Sequence, residues 1–206
     1  MYLTDNPIIM PYQINIATAD DFSEIYSLRL SNYSRFEVYQ KEFLTSLKEP
    51  DDLDKRYRSF CLVLKRTDNN QIVGSVRLTQ IFKENSPFEP EVTQLIPWDY
   101  FSFVDRLNIQ EGHENASLYL MVACWILAQR TTGAVVALAI KKLARLYKIS
   151  ANLQYLSDSN IDRNTDLKEP VYLVGASVED IFKTSRNASK LMEIISKIER
   201  TELKMS

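Results

Sequence analysis

Apolar residues recur at two spacings in the first half of the chain, and these spacings separate strands from helices. Residues 12–16 alternate apolar and polar side chains, which predicts a half-buried strand. Residues 18–21 (TADD) have the form of a capping box with aspartate in the glutamate position. Apolar residues at helical spacing follow over 22–29, so the chain opens as strand, cap and helix. A second, less regular helix is predicted for 36–47, ending before Glu49-Pro50.

Residues 59–82 have the pattern of a β-hairpin. Two apolar segments, SFCLVLKR and QIVGSVRLTQI, are separated by the turn sequence TDNN. Strict alternation in the second strand predicts one face formed by Ile72, Gly74, Val76 and Leu78, and another formed by Ser75, Arg77 and Thr79.

The second half of the chain predicts alternating strands and helices. After a proline-rich loop over 83–99, we expect a strand at 103–109, a polar loop at 110–116, a buried helix at 117–130 and a buried strand at 134–140. An amphipathic helix is expected from 141, with Leu143, Leu146 and Tyr147 on one side. Two edge strands at 153–156 and 171–174 and an amphipathic helix at 189–204 are expected to follow. This order predicts an α/β fold with a mixed central β-sheet flanked by helices. We expect one domain over 1–180 and a C-terminal helical extension over 181–206.

Composition narrows the function classes. The chain has 206 residues, a net charge of -2 and no basic block, so it lacks the footprint of a nucleic-acid-binding protein. The longest apolar run, 118–128, is too short to span a membrane, and the N-terminus does not resemble a signal peptide, so a cytoplasmic location is expected. Cys61 and Cys124 lie in apolar runs and are expected to be reduced and buried. With His113 as the one histidine, no metal site is predicted.

Several short stretches resemble the GNAT acyltransferase superfamily. The segments YQINIATADDFSEIYSLR, QIVGSVRL, FVDRLNIQ and ALAIKKLARLY are similar to its first strand and helix, its third strand, its fourth strand, and its fifth strand with the following helix. The resemblance extends over most of 12–175 and implies a GNAT-like fold.

Within that superfamily the chain resembles the autoinducer (N-acyl-homoserine lactone) synthases and the N-acyl amino acid synthases. The residues that carry this likeness are Arg29, Tyr33 and Tyr39; the acidic pair Asp51 and Asp54; Gly74, Arg77 and Leu78; and Arg106 with Leu107. The chain departs from this branch at Phe103, where a glutamate is usual. It departs from the superfamily at Ala151-Asn152, where Gly-Phe is usual, and in the loop 110–116, which only approximates the superfamily's phosphate loop. The missing glutamate argues against homoserine lactone production.

Two residues are candidates for catalysis. Asp105, on the strand beside the expected thioester, is the candidate base; alternation places it on one face with Phe103, Leu107 and Ile109, where partial desolvation would raise its pKa. The alternative is a structural ion pair with Arg106 or a neighbouring strand. Tyr147 resembles the superfamily's thiolate-protonating tyrosine, and its alternative is a core tyrosine.

A phosphate-binding loop is expected where the fourth strand enters the buried helix. Unpaired N–H groups and the helix dipole favour an anion there, although Glu111 and Glu114 oppose it, and His113 is read as a loop residue. The donor-binding candidates are Leu107, Asn108, Ile109, Gln110, Gly112, Asn115 and Ala116.

The remaining candidates would order the N-terminal lobe and line the acceptor site. They are Arg29, Tyr33, Tyr39, Asp51, Asp54, Arg77 and Arg106. The alternative is a set of surface salt bridges, each contributing about 0–1 kcal/mol. Met121, Trp125 and Leu127 could wall an acyl-chain pocket, or they could simply be core.

The resemblance implies an N-acyltransferase that takes a fatty-acyl group from an acyl-carrier-protein or acyl-CoA thioester and gives it to the amine of an amino-acid-like metabolite. No permanently bound cofactor is expected. The partners expected are a small-molecule amine and an acyl carrier protein. The alternatives are an acetyl-CoA-dependent N-acetyltransferase and a catalytically silent module that binds an acylated ligand or a protein.

Overall fold

A computed structural model describes residues 11–36, 44, 47, 52–157 and 169–184. Its strands are β1 (Tyr12–Ile16), β2 (Arg58–Arg66), β3 (Ile72–Phe82), β4 (Tyr100–Ile109), β5 (Ala134–Ile140), β6 (Gln154–Tyr155) and β7 (Val171–Ser177). Its helices are α1 (Phe22–Tyr33), α2 (Asp52–Arg56), α3 (Pro90–Gln94), α4 (Ser117–Thr131), α5 (Lys141–Ala151) and α6 (Val178–Thr184). The helix predicted at 189–204 and most of the one at 36–47 lie outside the described residues, as do Tyr39 and Asp51.

The strands form one mixed sheet in the order β1-β2-β3-β4-β5-β7-β6. The first four strands are antiparallel neighbours, β4 and β5 are parallel, and β7 returns antiparallel to β5. The predicted α/β class and central mixed sheet are confirmed. The expectation of two edge strands at the C-terminal side is wrong for β7, which lies between β5 and β6. Its continuous apolar sequence, VYLVGA, fits this interior position.

The entry into α1 follows the predicted cap. The Thr18 N–H and hydroxyl both donate to Asp21 Oδ2, and Lys65 Nζ donates to Asp21 Oδ1. Burial alone would raise the pKa of Asp21, but the hydrogen bonds from Lys65 and Thr18 outweigh it and hold the pKa below its usual value. The ionised carboxylate therefore stabilises the folded state.

Replacing Asp21 by asparagine is expected to lower the free energy of unfolding by about 1 kcal/mol at neutral pH. Because the folded-state pKa is depressed, this contribution is present above the unfolded value of 3.8 and is lost as the pH falls through the folded value. Urea unfolding at pH 7 and pH 3.5 checks this, since the difference between wild type and variant should shrink at the lower pH. The exposed neighbour change Asp20→Asn is the control, and an equal loss in both variants would contradict the cap.

The helices α4, α5 and α6 cover one face of the sheet, and α1, α2 and α3 cover the opposite face. The main core packs α4 and α5 against Leu62, Val76, Val104 and Val135. On the other face, α1 packs near Cys61 and Val63, and the 83–99 segment packs Phe88, Val92 and Ile96 against the sheet. Both cysteines are free and buried, as predicted, and burial raises the pKa of each thiol.

The structure corrects the predicted face of α5. Its buried positions are Ala144 and Ala151, with Tyr147 half-buried, whereas Leu143 and Leu146 are exposed. The helix approaches the sheet through its small residues, so its larger apolar side chains lie on the outer side.

A bulge in β3 corrects a second expectation. The register shifts where Leu64 pairs with Gly74 but Lys65 pairs with Ile72, so Val73 is an extra residue. Ile72 consequently packs with Cys61 and Val63 beneath α1, not on the α4 face with Val76. No helix in the described part of the chain is long and apolar enough to cross a membrane.

Candidate active site

The sheet opens between β4 and β5. These parallel neighbours pair only at Ser102 with Val135 and at Phe103 with Val136. Beyond Phe103, the described residues of β4 have no register partner on β5, while β5 stays paired to β7 over its whole length. In keeping with a gap, β4 is half-exposed at Asp105, Leu107 and Ile109 although it is the central strand of seven.

A bulge at Arg106 accompanies the opening. Arg106 has φ 54, which L-residues rarely adopt, and the β3–β4 register shifts at this point. The bulge also reverses the alternation that the sequence suggested. Leu107 and Ile109 pack against the α4 side, so the expectation that Asp105 shares a face with them is wrong. Asp105 lies on the opposite face, with Arg77.

Arg77 holds two carboxylates from different parts of the chain. Its Nε donates to Asp105 Oδ1 at 2.8 Å, its Nη2 donates to Asp105 Oδ2, and its Nη1 lies 3.0 Å from Asp54 Oδ2. The Arg77 side chain is 3% exposed, against 23% for Asp105 and 26% for Asp54. The ion pair that the sequence left open for Asp105 therefore exists, with Arg77 and not Arg106 as its cation, and both carboxylates keep a water-facing edge.

Two further arginines lie buried on this face. Arg29 and Arg106 are 2% and 9% exposed. The Arg29 guanidinium lies over the Tyr26 ring and donates to Cys61 Sγ, but its Nε has no hydrogen-bond partner within the described part of the chain. Arg29, Arg77 and Arg106 are all buried, so the alternative of surface salt bridges is wrong for them. Among the described residues no carboxylate contacts the Arg29 guanidinium, and burial of a guanidinium without a carboxylate is costly.

The polar side of α1 is fastened to β4 at the gap. Tyr33 donates to the Leu107 carbonyl at 3.2 Å and Asn32 donates to the Ile109 carbonyl at 3.0 Å. Asn108 is buried and donates to Ser75 Oγ at 2.7 Å. Sequence reasoning missed Asn32, although its spacing from Arg29 and Tyr33 places all three on one helical face. The hydrogen bond from Asn108 to Ser75 links the side chains of β4 and β3.

The predicted phosphate loop is stabilised by its own side chains and carbonyls. Gly112 has φ +84 and open space where a Cβ would be, but its N–H donates to Glu114 Oε1 at 3.1 Å. Bonds from the loop N–H groups lower the pKa of the Glu114 carboxyl, so an anion from the chain itself already lies there. The N–H groups of His113 and Ala116 bond to loop carbonyls, and Asn115 is exposed.

A contact between Tyr12 and His113 anchors the loop at 110–116 to the edge strand β1. The Tyr12 hydroxyl lies 2.6 Å from His113 Nδ1 and the two rings pack edge to face. Gln110 donates its N–H to the Val73 carbonyl and so extends the β3–β4 pairing. His113 is thus a loop residue with a packing partner, in keeping with the sequence interpretation.

The two candidate catalytic residues lie on opposite faces of the sheet. Tyr147 is half-buried in α5 against the main core, while Asp105 lies on the α1 face. The two side chains therefore lie on either side of the sheet, which opens between β4 and β5. Trp125 and Leu127 are buried in the core.

No protein-family model matches the sequence, and no curated protein sequence matches it. Solved structures do match the fold. FeeM, an N-acyl amino acid synthase from uncultured soil microbes, aligns with a TM-score of 0.66 and 10% identity over 87% of this chain and 97% of that chain. BjaI, a CoA-dependent acyl-homoserine lactone synthase, aligns at 0.62 with 13% identity over 93% and 92%. An acetyltransferase of the GNAT family from Staphylococcus aureus Mu50 aligns at 0.54 with 10% identity over 81% and 99%. The chain therefore has the GNAT fold.

Proposed function

We propose that this chain, which has the GNAT fold, is an N-acyltransferase that moves a fatty-acyl group from a phosphopantetheine thioester to the amine of an amino-acid-like metabolite. The observation that carries the proposal is the opening of the sheet after Ser102 and Phe103, where β4 turns away from β5. An unpaired strand edge offers main-chain N–H and C=O groups, and a pantetheine arm carries two amides that match them.

The reaction forms a C–N bond and breaks a C–S bond. The amine nitrogen attacks the thioester carbonyl, the ammonium proton passes to a base, and the departing sulfur takes up a proton. We propose Asp105 as the proton acceptor, acting directly or through a water at its exposed edge. Tyr147 remains the proposed proton donor to sulfur.

The charges on the α1 face support an acceptor with both an ammonium and a carboxylate. Asp54 and Asp105 both contact Arg77 and both keep a water-facing edge, so an ammonium that enters here meets carboxylate oxygens. Arg29 donates to Cys61 Sγ, and Cys61 is the register partner of Arg77 on the neighbouring strand, so both arginines lie on the same face of the sheet. The unbonded Nε of buried Arg29 suits a carboxylate.

The loop at 110–116 favours one competing function. The Gly112 N–H already donates to the Glu114 carboxylate, so the phosphate of a donor must displace that carboxylate to bind here. A weakened phosphate site suits a module that binds an acylated ligand without turnover.

A donor panel tests the proposal. Acetyl-CoA, octanoyl- to hexadecanoyl-CoA and the same acyl groups on acyl carrier protein are each incubated with the protein and a mixture of the common amino acids, and amide products are measured by mass spectrometry. We expect N-acyl products from the long-chain donors. Products from acetyl-CoA alone would establish the acetyltransferase, and tight donor binding without product, unchanged in Asp105→Asn, would establish the binding module.

A further inference from the structure

The main-chain carbonyls of Leu107 and Ile109 face the gap between β4 and β5. Gln110 donates its N–H to the Val73 carbonyl on β3, and main-chain groups alternate between the two sides of a strand. The N–H and C=O groups of Leu107 and Ile109 therefore face away from β3, toward the side where β5 would lie in a closed sheet. The bulge at Arg106 comes before this stretch and does not interrupt the alternation.

Two side chains of α1 donate to these carbonyls. Tyr33 Oη lies 3.2 Å from the Leu107 carbonyl oxygen, and Asn32 Nδ2 lies 3.0 Å from the Ile109 carbonyl oxygen. Both side chains are buried. A carbonyl inside a sheet needs a donor, and in a closed sheet the N–H groups of the neighbouring strand supply it. Here α1 supplies the donors instead of β5.

The facing edge of β5 is also known from its hydrogen bonds. Val178 donates its N–H to the Gly133 carbonyl, and the β5–β7 register is unbroken, so the odd-numbered positions of β5 bond to β7. Leu138 and Ile140 therefore direct their N–H groups toward β4, beyond the last pair that the described residues of β4 and β5 form. These N–H groups are the donors that a closed sheet would place on β4.

We infer that Asn32 and Tyr33 are positioning residues that hold the gap open before a ligand enters. By donating to the β4 carbonyls, they satisfy the acceptors that would otherwise draw β4 and β5 together. The inference deepens the proposed function and rests on it for the identity of the ligand. A strand edge that is already separated receives a thioester arm without rearrangement, which favours binding. A carbonyl oxygen has two lone pairs, so the arm can still bond to the same groups.

A purely structural role of the two hydrogen bonds predicts a different result. Bonds that only fasten α1 to the sheet affect α1 and the strands it contacts, β3 and β4, and leave β5 unchanged. Bonds that hold the gap open affect the amides of Leu138 and Ile140 on the other side of it. When the α1 donors are removed, the β4 carbonyls take up those N–H groups, so the two amides become protected from exchange with water.

Amide hydrogen exchange followed by NMR tests the inference on the full chain without a ligand. Wild type is compared with Asn32→Ala/Tyr33→Phe and with Tyr33→Phe alone, which keeps the ring. We expect exchange at Leu138 and Ile140 to be about ten-fold slower in the double variant and slowed to a smaller extent in the single variant. Circular dichroism shows whether each variant is folded.

A second tyrosine provides the matched control. Tyr57→Phe removes a hydroxyl that also donates to a main-chain carbonyl, that of Asn85 in the segment after β3. We expect this variant to exchange like wild type at both β5 amides. Equal exchange at Leu138 and Ile140 in wild type and the double variant overturns the inference, and so does protection of both amides in wild type. If the double variant does not fold, the same comparison with Tyr33→Phe decides.

Donor binding separates this inference from the proposed function. Octanoyl-CoA is titrated into wild type and the double variant in the absence of an acceptor, and its turnover is then measured with one. We expect the double variant to raise the Kd for octanoyl-CoA about ten-fold and to change the donor KM more than kcat, because the gap must reopen before the donor enters. If no acyl donor turns over in wild type, the proposed function fails, and the exchange comparison still decides whether Asn32 and Tyr33 hold the gap open.

Discussion

Replacing Arg77 by methionine is expected to lower the free energy of unfolding by about 3 kcal/mol. Arg77 is buried and is the shared partner of Asp54 and Asp105, so its loss leaves two carboxylates facing each other without that cation. The partial exposure of the two carboxylates keeps the expected loss at the lower end for a broken buried pair. Urea unfolding followed by circular dichroism measures the change.

Two comparisons make the Arg77 result interpretable. Arg66→Met removes an exposed partner of Asp68 and should leave the urea midpoint unchanged. Adding Asp54→Asn and Asp105→Asn to Arg77→Met should recover much of the lost stability, because the uncompensated charges are then gone. A midpoint for Arg77→Met equal to that of wild type would show that the site is solvated in solution.

Replacing Asp105 by asparagine is expected to lower kcat with the preferred donor and acceptor by about a hundred-fold or more. Asparagine keeps the size of the side chain and an oxygen that accepts from Arg77, but it does not take up a proton at neutral pH. Steady-state kinetics over a range of acceptor concentrations measure kcat and KM separately. A loss confined to KM would contradict the role of base.

Asp54→Asn is the matched control for Asp105→Asn. Asp54→Asn removes the charge of the second carboxylate that contacts Arg77, and this carboxylate comes from α2 and not from β4. We expect it to change the acceptor KM and to leave most of kcat. An equal fall of kcat in both variants would show that the ion pair, and not proton transfer, limits the rate.

Local patterns were sufficient for most of the elements. The Thr18–Asp21 cap, the β2–β3 hairpin, the apolar helix α4 and the apolar strand β5 each depend on residues that are close in sequence. Hydrophobic periodicity and capping chemistry are local, so they are readable before the tertiary structure is known.

Two of the errors share one physical cause. Alternation fails where a bulge inserts a residue, so Ile72 and Leu107 face the side opposite to the one expected. No residue type at Val73 or Arg106 announces a bulge, and Arg106 is a side chain that rarely has φ 54. The buried face of α5 was predicted wrongly for a different reason. The helical pattern was assigned from its large apolar residues, whereas close packing of a helix against a sheet selects alanine.

The sequence by itself determined which of the described segments are strands and helices and where α1 begins. Only the tertiary structure decided that β4 separates from β5 after Phe103 and that Arg77, not Arg106, pairs with Asp105. It also decided that the Glu114 carboxylate accepts a hydrogen bond from the Gly112 N–H in the same loop. Backbone hydrogen bonds within a turn or helix involve neighbours in the chain. The two ion pairs of Arg77 join residues 23 and 28 positions apart, and the β4–β5 contacts join residues 33 positions apart, so both depend on how the whole sheet folds.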